Sequence, residues 1–112
     1  FTLARYTTAG ALDATFGTAG IATTSIAINA ALHDIAIQTD NKIVAVGYAF
    51  DGNTTHFALA RYNANGSLDT GGFGTGGIVQ TVIGSASQAQ AVYIQNDGKI
   101  VVAGYATIAN VD

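Results

Sequence analysis

Glutamate is absent from this 112-residue chain, and so are cysteine, methionine and proline. Without cysteine there is no disulfide framework, no thiolate metal site and no cysteine nucleophile. Lys and Arg together number only four, the formal net charge is −3 and no basic cluster exists. Nucleic acid is therefore not an expected partner, because a phosphate backbone demands a field of cations. No apolar run approaches the roughly 20 residues of a membrane span, so membrane insertion is not expected either. At 49% apolar and 10% charged, the chain is too hydrophobic for disorder. A composition rich in Thr, Ala, Gly and Asn suits a secreted or cell-surface protein. With neither an initiating Met nor a signal peptide, the chain reads as a mature product or an excised segment.

What is present is a duplication. Phe1-Thr2-Leu3-Ala4-Arg5-Tyr6 returns as Phe57-Ala58-Leu59-Ala60-Arg61-Tyr62. Phe16-Gly17-Thr18-Ala19-Gly20-Ile21 returns as Phe73-Gly74-Thr75-Gly76-Gly77-Ile78, and Lys42–Ala49 returns as Lys99–Ala106. The offset is 56 residues at the start and 57 after one inserted glycine near Gly71-Gly72. Roughly half of the aligned pairs are identical, which makes this a two-unit repeat protein, with repeats at 1–56 and 57–112.

Fourteen glycines punctuate short β-type runs, and nothing has sustained helical periodicity. Strands are predicted at Phe1–Thr7, Ile21–Ile28, Leu32–Thr39 and Lys42–Phe50, then at Phe57–Asn63, Ile78–Ile83, Ala89–Gln95 and Lys99–Ile108. Asp40-Asn41 and Asn96-Asp97-Gly98 supply tight Asx-type turns. Four strands per repeat is the pattern of an antiparallel meander, one propeller blade, so the fold class is all-β. Lys42–Phe50 carries Val44, Val46, Tyr48 and Phe50 on one face and Ile43, Ala45, Gly47 and Ala49 on the other. A sheet with one wet face would alternate with polar residues, so two dry faces, one bulky and one small, point to sheets stacked face on face. Two such blades leave two apolar faces open, and propellers close with about 4–8 blades. Further blades are expected from copies of this chain or from the rest of a longer protein, in a closed ring or an open filament.

The pattern Phe-Ala-Leu-Ala-Arg-Tyr-Asn…Gly-Ser-Leu-Asp…Phe-Gly-Thr-Gly-Gly-Ile-Val, followed by Gln-Asn-Asp-Gly-Lys-Ile-Val-Val-Ala-Gly-Tyr, closely resembles the delta-60 repeat of large bacterial secreted and surface proteins. The resemblance implies NHL-like propeller blades and carries no activity. The second repeat fits better; the first departs at Thr7-Thr8-Ala9 and at Asn41. By analogy with NHL blades, Leu32–Thr39 is innermost and Ile78–Ile83 outermost. One complete blade then spans 32–83, between an outer half-blade at Phe1–Ile28 and an inner half-blade at Ala89–Ile108. Two-blade protomers that trimerise into six-bladed rings occur among small bacterial lectins, a parallel of geometry alone.

The basic residues fall in equivalent pairs, Arg5 with Arg61 and Lys42 with Lys99, as do the acidic pairs Asp13 with Asp69 and Asp40 with Asp97. A group needed in every blade builds the blade. Arg5–Asp13 and Arg61–Asp69 are therefore expected as structural ion pairs inside covered strands. Asn63–Asp69 has oxygens at alternate positions, as a calcium loop does, but the matching Thr7–Asp13 keeps only the last of them. A plain Asx turn is the expectation, and no metal is. Gly74–Gly77 lacks the Lys and helix of a phosphate cradle. His33, Asp34, His56 and Tyr93 are not repeated, so they are the candidate ligand contacts, to glycan or to a surface protein. For the two histidines an ordinary surface or channel-lining position is the expectation, ahead of a ligand role. His33 and Asp34, adjacent on a strand, point to opposite faces and make a poor dyad. No enzyme and no cofactor is expected, because nucleophile, base and orienter do not converge. The expectation is an interaction module, with a self-assembling extracellular filament or sheath as the alternative.

Overall fold

The computed structural model describes residues 1–108. Eight strands follow in order: β1 (Thr2–Ala4), β2 (Ile21–Thr23), β3 (Asn29–Ile37), β4 (Ile43–Phe50), β5 (Thr55–Tyr62), β6 (Ile78–Thr81), β7 (Ala86–Ile94) and β8 (Ile100–Thr107). They form a four-stranded antiparallel sheet, β3-β4-β5-β6, and two two-stranded sheets, β1-β2 and β7-β8. The fold is all-β, and the four-stranded sheet is a complete blade between two half-blades.

Two strands are less than half as long as the sequence predicts, and β6 stops at Thr81 instead of Ile83. β1 stops at Ala4 instead of Thr7: Arg61 and Tyr62, the counterparts of Arg5 and Tyr6, stay in β5 because Val44 and Ile43 pair with them, whereas Tyr6 makes only an isolated bridge to Leu12. β2 stops at Thr23 instead of Ile28, with the Thr24 N–H still donating to the carbonyl of Phe1. Beyond it, Ala27 takes a left-handed φ of 55°. At the other extreme, β3 and β7 each begin three residues before the predicted start, with a bulge between Leu32 and Asp34 in β3 and between Ala89 and Ala91 in β7.

The core has two layers, one on each face of the complete blade. Ile43, Ala45, Ala49, Ala58 and Ala60 pack with Phe1, Leu3, Phe16 and Ala22 of the first half-blade. Val44 and Val46 pack on the opposite side with Ala89, Val92, Ile100 and Val102 of the second. The small face of one sheet thus meets the bulky face of the next, and alternation along β4 sets which is which. Gly47 and Gly104 have no freedom to be anything else. A Cβ at Gly47 would run into the Ala31 carbonyl, and one at Gly104 into the Gln88 carbonyl, on the neighbouring bulged strand.

Candidate functional site

The first element is an ion-paired loop, built twice. In the complete blade, Arg61 leaves the end of β5 and its Nε donates to Asp69 Oδ2 at 2.8 Å. Lys42, at the start of the β4 segment, donates from Nζ to the same oxygen at 3.0 Å. Arg61 Nη2 also donates to the Gly72 carbonyl, and its guanidinium lies 4.8 Å from the centre of the Phe73 ring. Asp69 is therefore held between two cations, with its carboxyl below the usual carboxylate range, first through the Lys42 hydrogen bond and then through Arg61.

In the first half-blade, Arg5 Nε donates to Asp13 Oδ2 at 2.9 Å, and the guanidinium lies 4.6 Å from the Phe16 ring centre. Arg5 Nη1 also donates to the Ala64 carbonyl of the next blade's loop, at 2.8 Å. The Asp13 carboxyl is likewise lowered, but chiefly by hydrogen bonds from the Thr15 side chain and backbone, with Arg5 secondary. No lysine joins it. Lys99, the counterpart of Lys42, is 80% exposed with its Nζ 3.9 Å from Asp97.

The Asn63–Asp69 loop is a turn. Asn65 Oδ1 accepts from the Ser67 N–H and Oγ, and Gly66 supplies a φ of 88°. Among the described residues, no group of three His, Cys, Asp or Glu could hold a metal ion. Gly74, Gly76 and Gly77 all take positive φ, which is turn geometry.

The four unrepeated candidates are not brought together. His33 and Asp34 share a groove of about 520 Å³ with Arg5, while neither His56 nor Tyr93 lines it. His33 is exposed, with its ring 5.6 Å from that of Tyr48. Tyr93 is exposed on β7. His56 corrects the surface or channel-lining expectation: it lies only 3% exposed in β5, and Nε2 is 2.6 Å from Gln80 Oε1 of β6. Its Nδ1 and the hydroxyl of Ser87 are buried without a protein partner. The burial follows from its place opposite Ala49, where a strand between two packed sheets leaves no water-facing side.

Asp34 does something that its neighbours in sequence do not suggest. Its Oδ1 accepts from the Ile35 N–H at 2.9 Å, and its Oδ2 from the Val92 N–H at 3.0 Å. Ile35 and Val92 occupy equivalent positions just past the two bulges, so one carboxylate ties the equivalent strands β3 and β7 of adjacent blades. The residue equivalent to Asp34 in the second repeat is Ala91, which has no oxygen to offer.

The groove runs along β1 on the side away from β2. Leu32, Ile35, Ile37 and Ile43 form its floor and Thr2–Arg5 its wall. Ile35 is 45% and Ile37 57% exposed, whereas their counterparts Val92 and Ile94 are half-buried against the complete blade. A family model described as "Domain of unknown function (DUF5122) beta-propeller" matches residues 38–71 and 95–112. This chain is made of β-propeller repeats. Each matched segment begins at the Asx turn and includes the strand after it, β4 or β8. No curated protein and no solved structure matches the chain. β3 and β6 are the two edges of the complete blade, and the groove lies beside β1 at the place that β3-β4 occupy in the complete blade relative to β5.

Proposed function

We propose that the chain is a non-enzymatic interaction module of a secreted or cell-surface propeller protein, and that what it binds is protein: further blades laid against its two open faces. One observation carries this reading. The same strand pattern that is sealed in the complete blade is bare at the end of the chain, with Val44 0% and its counterpart Val101 47% exposed. Contiguous apolar surface of this kind on a soluble domain is an association site or an aggregation hazard. The aliphatic floor of the groove favours a protein partner over a glycan, whose rings stack on aromatic side chains. The non-enzymatic reading is supported by Asp13, Asp34 and Asp69, each occupied in holding loops or strands. Whether blades close into a ring or run on as a filament depends on the rotation between neighbours.

The test is sedimentation equilibrium on the 112-residue chain across a hundredfold range of concentration. A mass above that of one chain, falling on dilution, is expected. A folded monomer at every concentration would overturn the proposal.

A further inference from the structure

Resting on that reading, a more specific partner follows from the internal repeat. In the complete blade, β4 lies between β3 and β5. Among the described residues its counterpart β8 pairs only with β7, and β1, the counterpart of β5, only with β2. The chain therefore carries both halves of a ladder it has already built once. β4 and β5 pair Val44 with Arg61, Ala45 with Ala60, Val46 with Leu59 and Tyr48 with Phe57. Moved along by one repeat, the same register sets Val101 against Arg5, Val102 against Ala4, Ala103 against Leu3 and Tyr105 against Phe1.

We propose that the free edge of β8 takes β1 of a second copy of this chain in that register, and that Lys99 of one copy closes on Asp13 of the other. Three independent features fit. The groove along β1 has an aliphatic floor to set against Val101 and Tyr105, the outward residues of β8, which are about half exposed. Backbone direction agrees as well. The Arg5 N–H and C=O are spent on Gly20 and Asp13, which turns those of Ala4 toward the free edge. Charge agrees last. Lys42 and Arg61 hold Asp69 together, whereas Asp13 has Arg5 alone and Lys99 stands in solvent. The junction between copies restores the missing cation. Asp13 then gains what Asp69 has.

The absence of cysteine makes the register directly testable. Ala4 and Val102 would form a hydrogen-bonded antiparallel pair with Cα atoms about 5.5 Å apart, inside the range a disulfide spans. Chains carrying Ala4→Cys and Val102→Cys are mixed and oxidised mildly, then resolved on a non-reducing gel. A mixed disulfide dimer is expected, and Ala4→Cys with Val101→Cys, one residue out and facing the other way, should give none. Lys99→Glu, at an exposed position where folding is not at risk, should weaken self-association about tenfold at low salt. If the native chain associates but Ala4→Cys and Val102→Cys do not cross-link above the Val101→Cys control, this register is wrong while the interaction module stands. If the native chain stays monomeric, both fall.

Discussion

β4 and β8 are nearly the same strand in different company. Ile43–Phe50 reads Ile-Val-Ala-Val-Gly-Tyr-Ala-Phe and Ile100–Thr107 reads Ile-Val-Val-Ala-Gly-Tyr-Ala-Thr. Six of the eight residues of β4 are buried and none of β8 is. Tyr62 and Tyr6 repeat the contrast: the first is 1% exposed with its hydroxyl 2.6 Å from Thr24 Oγ1, the second 61% exposed. Burial in a stacked-sheet protein is a property of position in the stack and not of the strand. A pattern apolar on both faces states only that two neighbours are required.

Paired substitutions test how far that contrast goes. The largest effect is expected from Val44→Asp, which places an unpaired carboxylate between two packed sheets and costs more than about 4 kcal/mol, enough to unfold a small domain. Val101→Asp should change the stability of the isolated chain by no more than about 0.5 kcal/mol while abolishing self-association. Urea denaturation at low concentration, followed by sedimentation, reads both. Phe16→Ala comes next. Phe16 is 1% exposed in the layer between the first half-blade and the complete one. Its loss should cost about 3–5 kcal/mol, with Phe73→Ala, at the half-buried counterpart, costing clearly less.

Tyr62→Phe should cost about 1–2 kcal/mol, since it strips the buried Thr24 hydroxyl of its partner, and Tyr6→Phe should be silent. Burial pushes the Tyr62 phenol above its ordinary value, against the opposing effect of the Thr24 hydrogen bond. An ultraviolet titration should therefore show one tyrosine that ionises later than the rest, and that signal should vanish in Tyr62→Phe.

The smallest effect concerns acid. Asp13 and Asp69 both have folded-state carboxyl values below the ordinary 3.8. Each stabilises the fold fully at pH above that ordinary value, and the contribution disappears as pH drops through the lowered one. Lys42→Met should move the Asp69 titration back toward the ordinary value, whereas Lys99→Met should leave Asp13 unmoved in the monomer and shift it only in the assembled protein. Carbon-detected carboxyl titration by NMR distinguishes the two.

Much of the fold was legible because a duplicated chain carries its own control. Turn residues recur at matching places, and the alternation of bulky and small residues in Lys42–Phe50 is the packing of two sheets written in one dimension. Boundaries failed where the reason is tertiary. β1 ends at Ala4, whereas its counterpart β5 runs on through Arg61 and Tyr62 because Val44 and Ile43 of β4 pair with them. Of the site, contacts inside one loop lie within reach of sequence inspection, as with Arg61 and Asp69 eight residues apart. Lys42, 27 residues from Asp69, reaches it only through the pairing of β4 with β5, and Asp34, 58 from Val92, reaches its second partner only through the stacking of adjacent blades. The bulges that place the Ile35 and Val92 N–H groups leave no mark in composition. His56 looked free because it is polar and unrepeated, and neither property reports depth.

The carboxylate of Asp34 has a further meaning for the periodicity of the molecule. Strand order and turn chemistry recur with every repeat, but the acid on the β3 edge does not: Asp34 satisfies its own blade and the next, and Ala91 is left with nothing to satisfy. Measured by backbone geometry, the period is a single blade. Measured by hydrogen-bond supply it is twice that, a blade that brings the acceptor followed by one that borrows it. In a stack laid down by this rule every blade with alanine at this position needs a blade with aspartate before it.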